Sequence, residues 1–165
     1  MKAFKVCVLG DYGVGKTSTV NRFVSNVFSE NYATTIGLSI STKTVTVDFQ
    51  DVKMVIWDIA GRDKVAAVEH TYLKGANAVF FVADGTREKT LQTMLDLRRD
   101  VLKEHGEIAN LVMINKYDRK HEWEVTDTRI EMLRNAGRHV YLTSAKDGTL
   151  VNDAFSNIAT QLLKQ

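Results

Sequence analysis

Ala3-Phe4-Lys5-Val6-Cys7-Val8-Leu9-Gly10-Asp11-Tyr12-Gly13-Val14-Gly15-Lys16-Thr17 is the stretch that decides the fold. Its first part alternates and then runs apolar through Phe4, Val6, Cys7, Val8 and Leu9, as a strand entering the middle of a buried sheet does. Gly10, Gly15, Lys16 and Thr17 then satisfy G-x-x-x-x-G-K-[ST], and a helical pattern follows at Val20, Phe23, Val24 and Val27. The glycines let the backbone wrap close to a phosphate, with successive N–H groups forming an anion nest at a helix N-terminus. Asp11, Tyr12, Gly13, Val14, Gly15, Lys16, Thr17 and Ser18 are therefore the candidate phosphate cradle. Lys16 would reach the outer phosphates, and the Thr17 hydroxyl would ligate Mg²⁺. A plain glycine-rich turn is the alternative, but its place between a strand pattern and a helix pattern favours a P-loop.

Working outward, residues 28–37 are polar and aperiodic and read as a loop. Residues 38–47 alternate with many β-branched side chains, which predicts a half-exposed strand at a sheet edge. A turn near Gln50-Asp51 returns the chain into a second strand over Val52–Ile59, making a hairpin. Residues 60–76 read as a loop with an irregular helix, and Ala78–Ala83 as a fully buried strand. A helix is predicted from about Glu88 to Glu104, with Leu91, Met94, Leu95, Val101 and Leu102 on one face. Arg98, Arg99 and Lys103 would face solvent from it. Leu111–Ile114 reads as a strand, 125–136 as a short helix and Val140–Leu142 as a last strand. Val151, Ala154, Phe155, Ile158, Ala159 and Leu162 fall at i, i+3, i+4, i+7, i+8 and i+11 of a final helix. Strands alternating with helices predict one α/β domain over 1–165 with a mainly parallel sheet.

Three further segments carry chemistry. Asp58 ends a strand, where its carboxylate can hold Mg²⁺ beside Thr17, and Gly61 can bring a bare N–H to a γ-phosphate. Asn115-Lys116-Tyr117-Asp118 follows another strand as a base reader. The Asp118 carboxylate accepts two adjacent hydrogen bonds, which guanine offers at N1–H and its 2-amino group and adenine does not. Lys116 can lie over the base, and Asn115 can tie this loop to the P-loop. Ser144-Ala145-Lys146 adds a third loop, with the Ala145 N–H available for guanine O6. His70, His105, His121 and His139 share no metal-ligand spacing.

Composition sets the remaining bounds. The chain has 165 residues, enough for one substantial core, with 44% hydrophobic and 25% charged residues. A net charge of +2 gives no support to nucleic-acid or anionic-membrane binding. The single cysteine, Cys7, allows no disulfide framework and fits a reducing compartment. No apolar stretch is long enough to span a bilayer, and neither end carries a signal peptide or lipidation motif. The expectation is a cytoplasmic monomer, membrane-associated only if a lipidated tail lies beyond Gln165.

With G-D-Y-G-V-G-K-T, T-T-I-G, W-D-I-A-G, N-K-Y-D and S-A-K in this order, the chain resembles the Ras superfamily of small GTPases from Phe4 to Leu163. Gly-Asp in the P-loop and Trp before Asp58 look most like the Rab branch. The resemblance implies a P-loop three-layer sandwich, with a six-stranded sheet, one antiparallel edge strand and five helices. It implies GTP and GDP as ligands with Mg²⁺, and a switch whose segments 28–37 and 60–74 meet effector, exchange-factor and GTPase-activating proteins. Phe28 would stand edge-on to the base, and Thr35 would ligate Mg²⁺ and sense the γ-phosphate. Lys16, Thr35, Gly61 and Arg62 become the candidate catalytic residues. Two departures bear on catalysis. Arg62 stands where the family usually has the glutamine that orients the attacking water, and Tyr12 where it has a small residue. Arg62 orients water poorly, although its charge can stabilise the transition state in cis; the alternative is a solvated residue with no catalytic role.

Overall fold

In a computed structural model, which describes residues 1–31, 37–60 and 70–165, six strands form one sheet in the order β2-β3-β1-β4-β5-β6. In chain order the elements are β1 (Lys2–Gly10), α1 (Lys16–Ser25), β2 (Leu38–Val47), β3 (Gln50–Ile59), α2 (His70–Leu73) and β4 (Ala78–Asp84). Then come α3 (Glu88–His105), β5 (Ala109–Asn115), a 3₁₀ turn at Tyr117–Glu122, α4 (Asp127–Asn135), β6 (Val140–Leu142) and α5 (Val151–Leu163). Every neighbouring pair is parallel except β2–β3, so the expected single antiparallel edge strand is present.

The period-2 alternation of the strands builds a core on each face. Val6, Val8, Met54, Ile56, Phe80 and Met113 point to the side covered by α1 and α5. Cys7, Leu9, Phe81, Val112 and Ile114 point to the side covered by α3 and α4. The two cores make three layers. Phe155 of α5 stacks on Phe23 of α1 with ring centroids 3.7 Å apart and meets Phe80 at 4.4 Å. Burying such a ring fully contributes about 2–3 kcal/mol. The six positions read from the periodicity of α5 are its buried residues. No helix among the described residues is long and apolar enough to cross a membrane.

Several boundaries move. Helix α1 stops at Asn26, which takes a left-handed conformation (φ 53°), so Val27 lies beyond the helix and is exposed. The hairpin turn falls at Asp48-Phe49, not Gln50-Asp51. Both residues have positive φ (49° and 62°), and Val47 pairs with Gln50. That is a two-residue turn whose twist matches the strands it joins. The predicted helix over 125–136 begins later, because Thr126 accepts the Arg129 N–H and caps α4. Arg98 is half-buried rather than solvated, and its Nε donates to Asn110 Oδ1 (3.2 Å).

Strand order positions the site. From β1 the chain crosses to the edge strand β2 and returns through β3 on one side, while from β4 it continues to β5 on the other. The loops after β1 and β4 therefore flank the topological switch point at the carboxyl edge, where α/β sheets place ligands.

Candidate functional site

The P-loop leaves β1 at Gly10, where a Cβ would collide with Val82 O of the neighbouring β4. Only glycine lets the loop turn this close to the sheet. Gly15 caps α1 with φ 97° and has no side chain to bond the first-turn N–H groups. These donors and the positive end of the helix dipole suit an anion. Lys16 is buried, and its Nζ donates to Gly10 O (3.1 Å) and Asp11 O (2.9 Å), bracing the loop from within. Burial brings its ammonium down to about 8, against the opposing pull of Asp58 and Asp11.

Beside it, β1 and β3 run in parallel register, and Thr17 Oγ1 donates to Asp58 Oδ2 at 2.6 Å. Asp58 is buried, which pushes its carboxyl above the usual range despite the Thr17 hydrogen bond and the nearby Lys16 charge. Its Oδ1 is buried without a hydrogen-bond partner among the described residues. An orphaned carboxylate oxygen next to a hydroxyl is a hard-oxygen donor set, the kind Mg²⁺ takes while keeping several waters. Thr35, Gly61 and Arg62 lie outside the described residues.

Asn115, at the end of β5, joins three loops. Its Nδ2 donates to Val14 O (3.0 Å) across 101 residues, and its Oδ1 accepts from Thr143 Oγ1 (3.3 Å) and the Ala145 N–H (3.2 Å). The Ala145 N–H, read from the sequence as available for a base carbonyl, is thus already engaged by Asn115. Accepting that N–H would require a base to share a long bond. Asp118 Oδ1 accepts from Ser144 Oγ (2.8 Å), which links the two base-reading loops. Lys116 has φ 73°, and its Nζ is 2.7 Å from Asp84 Oδ2. Lys146 Nζ pairs with Glu30 Oε1 (3.1 Å), bringing the last loop to the segment that carries the half-buried Phe28. Ser18 is half-buried in the first turn of α1, while Tyr12 and Gly13 are exposed at the loop tip.

The sequence reading missed four residues that shape this edge. Asp84 is fully buried and receives Thr86, Arg87 and Lys116. Burial alone would raise its carboxyl, but the Lys116 and Thr86 bonds outweigh burial and hold it below the usual range. Arg87 Nη2 donates to Tyr12 O (2.9 Å). Trp123 packs so tightly on Gly85 that a Cβ there would enter its ring, and its Nε1 donates to Lys116 O (2.9 Å). Arg22 of α1 donates to Ala145 O (2.8 Å) and to Lys146 O. One signal was available in sequence: an acidic residue ending a wholly apolar strand, as Asp84 does, is costly unless paired. The others depend on contacts between distant segments.

A family model described as Ras family matches residues 5–164. The chain is 37% identical to Ras-related protein Rab-22A of Mus musculus, over 98% of this chain and 84% of that one. Against Ras-related protein Rab-13 of Canis lupus familiaris it is 32% identical, covering 97% and 80%. Against Ras-related protein RABA1b of Arabidopsis thaliana it is 35% identical, covering 98% and 76%.

Proposed function

The chain belongs to the Ras family, and on that premise we propose that it is a guanine-nucleotide switch that binds GTP and GDP with Mg²⁺ and hydrolyses GTP slowly. The observation carrying this reading is the set of bonds by which Asn115 joins Val14 of the P-loop to Ala145 of the last loop. A phosphate cradle and a base-reading carboxylate thereby share one sheet edge.

The protein's own residues act as follows. Asp118, steadied by Ser144, accepts the paired donors of guanine, while adenine would leave that carboxylate unmatched. Lys116, held by Asp84, presents its aliphatic stem beside the base. The N–H groups of the P-loop, at the N-terminus of α1, and the Lys16 ammonium receive the phosphates. Thr17 and Asp58, with Thr35, would hold Mg²⁺, which when bound neutralises charge on the phosphate oxygens. Hydrolysis also needs one water placed in line with the γ-phosphate, and Arg62 has no acceptor with which to place it. Thr35 and the Gly61 N–H each bond the γ-phosphate in this reading, so its loss releases segments 28–37 and 60–74 from effector, exchange-factor and GTPase-activating partners. In this reading the protein works as a monomer in the cytoplasm, membrane-associated if a lipidated tail lies beyond Gln165.

A second reading, a GTP-binding module that barely hydrolyses, is favoured by Arg62 and Tyr12. Two assays test the pair. ATP should fail to displace labelled GTP, and Asp118→Asn should shift preference toward xanthine nucleotides; equal competition by ATP would overturn the base-reader assignment. In single-turnover assays Arg62→Gln should raise hydrolysis about tenfold, roughly 1.4 kcal/mol of barrier. A slower Arg62→Gln protein would mean that Arg62 supplies charge in cis.

A further inference from the structure

We propose that Arg87 is a positioning residue for the bound nucleotide, gripping the Tyr12 carbonyl so that the Tyr12–Gly13 peptide N–H is aimed into the phosphate cradle. This rests on the guanine-nucleotide reading above and extends it to a residue outside every motif of the sequence.

The placement follows from the sheet. β1 and β4 are parallel neighbours, with Leu9 beside Phe81 and Gly10 beside Val82. Their following loops emerge together at the switch point. The β4 loop is rigid: the Gly85 N–H donates to Asn115 O, and Gly85 O accepts from the Glu124 and Val125 N–H groups. Asp84 anchors the arginine through Nε (3.1 Å) while its other contacts go to Thr86 and Lys116. With Nε fixed, the planar guanidinium presents Nη2 to Tyr12 O at 2.9 Å. Its side chain is 34% exposed and Tyr12 is exposed, so the bond lies at the surface and relies on the Asp84 anchor to hold its geometry.

The consequence lies on the far side of that peptide. No peptide bond among the described residues is cis, so the N–H of Gly13 points opposite to the carbonyl that Arg87 holds. A cationic donor on the oxygen polarises the peptide and strengthens its N–H as a donor. It also stops the peptide from flipping, which Gly13 (φ 72°) would otherwise allow. The guanidinium occupies the space beside Gly13, with Nη2 3.3 Å from where a Cβ would stand. The Arg87 guanidinium, held against Tyr12 O, is itself a cation beside the loop. A second cation there suits a ligand carrying several negative charges.

The test compares wild type with Arg87→Gln, Arg87→Lys, Tyr12→Gly and the Tyr12→Gly/Arg87→Gln double variant. Arg87→Gln should release GDP and a non-hydrolysable GTP analogue about tenfold faster and move the Gly13 amide resonance of the GDP complex upfield. Affinity for guanosine, which carries base and sugar but no phosphate, should stay unchanged. Arg87→Lys, keeping the charge without the second arm, should fall between. The loss should persist in the Tyr12→Gly background, because the bonded oxygen is backbone. Release rates within twofold of wild type would overturn the proposal. So would an equal loss of guanosine affinity, which indicates general loosening, or disappearance of the effect with Tyr12→Gly, which makes the ring the partner. If wild type itself binds no GDP, the guanine-nucleotide reading fails instead.

Discussion

Replacing Asn115 by alanine would remove three buried hydrogen bonds at once and strand their partners. Val14 O, Thr143 Oγ1 and the Ala145 N–H each lose the contact they make at 3.0, 3.3 and 3.2 Å. Asn115 is 2% exposed and Thr143 fully buried, so solvent cannot simply take over. At about 1 kcal/mol for each bond, the loss is about 3 kcal/mol, and more if the orphaned groups stay dry. The amide leaves a polar space in which one water could recover part of it. Since the bonds join the P-loop to the base-reading loops, the loss should appear mainly in nucleotide release. A 3 kcal/mol change is roughly 150-fold. Stopped-flow release of a fluorescent GDP, alongside urea unfolding of the nucleotide-free protein, separates the two effects. Asn115→Asp keeps the acceptor oxygen for Thr143 and Ala145 but faces Val14 O with a second oxygen. It should therefore cost stability as well as release nucleotide quickly, because a buried carboxylate oxygen facing a carbonyl has no donor. Gly15→Ala presses a methyl onto Asn115 Nδ2, so part of its effect should vanish in the Asn115→Ala background, while the left-handed backbone at Gly15 (φ 97°) keeps the rest. If Asn115→Ala releases GDP within fivefold of wild type, the loops are not coupled through this side chain.

Three further outcomes follow from buried ionisable groups. Lys16 is held down to about 8 from 10.5 by burial, so between those values the unfolded chain binds more protons than the folded one. Nucleotide-free protein should therefore gain stability as pH rises from 8 to 10.5, and Lys16→Met should abolish the gain. A phosphate ligand restores the ammonium, so binding at pH 8 should take up about half a proton and binding at about pH 6.5 almost none. Calorimetry in buffers of different ionisation heat reads this, and buffer-independent heats at pH 8 would refute it. The Cys7 thiol is pushed up to about 12 by burial, so a thiol reagent should label it only as fast as the protein unfolds. Rapid labelling of the native protein would contradict the packing of β1.

The sequence alone determined whatever depends on local period and local backbone chemistry. Residues 3–17 specified strand, loop and helix together, because Gly10 and Gly15 are needed where they stand and Lys16-Thr17 open the helix. The face of α5 was legible residue by residue, since a 3.6-residue period needs no partner to be seen. So were the half-exposed edge strand and the buried central ones, whose alternating or continuous apolar patterns follow from one or two covered faces.

Only the tertiary structure decided the rest. The hairpin turn was misplaced because Asp48-Phe49 adopts left-handed backbone without the glycine or asparagine that usually marks it. The 3₁₀ turn at Tyr117–Glu122 has no apolar period, and it is held instead by Trp123 bonding back to Lys116 O. Arg98 reads as a surface arginine on its helix, yet β5 brings Asn110 beneath it. The bonds from Arg22 to Ala145, from Arg87 to Tyr12 and from Lys116 to Asp84 join segments 123, 75 and 32 residues apart. No local pattern encodes them. Such contacts exist because the sheet order sets β1 between β3 and β4, so that loops distant in sequence leave neighbouring strand ends and must satisfy one another's polar groups away from water.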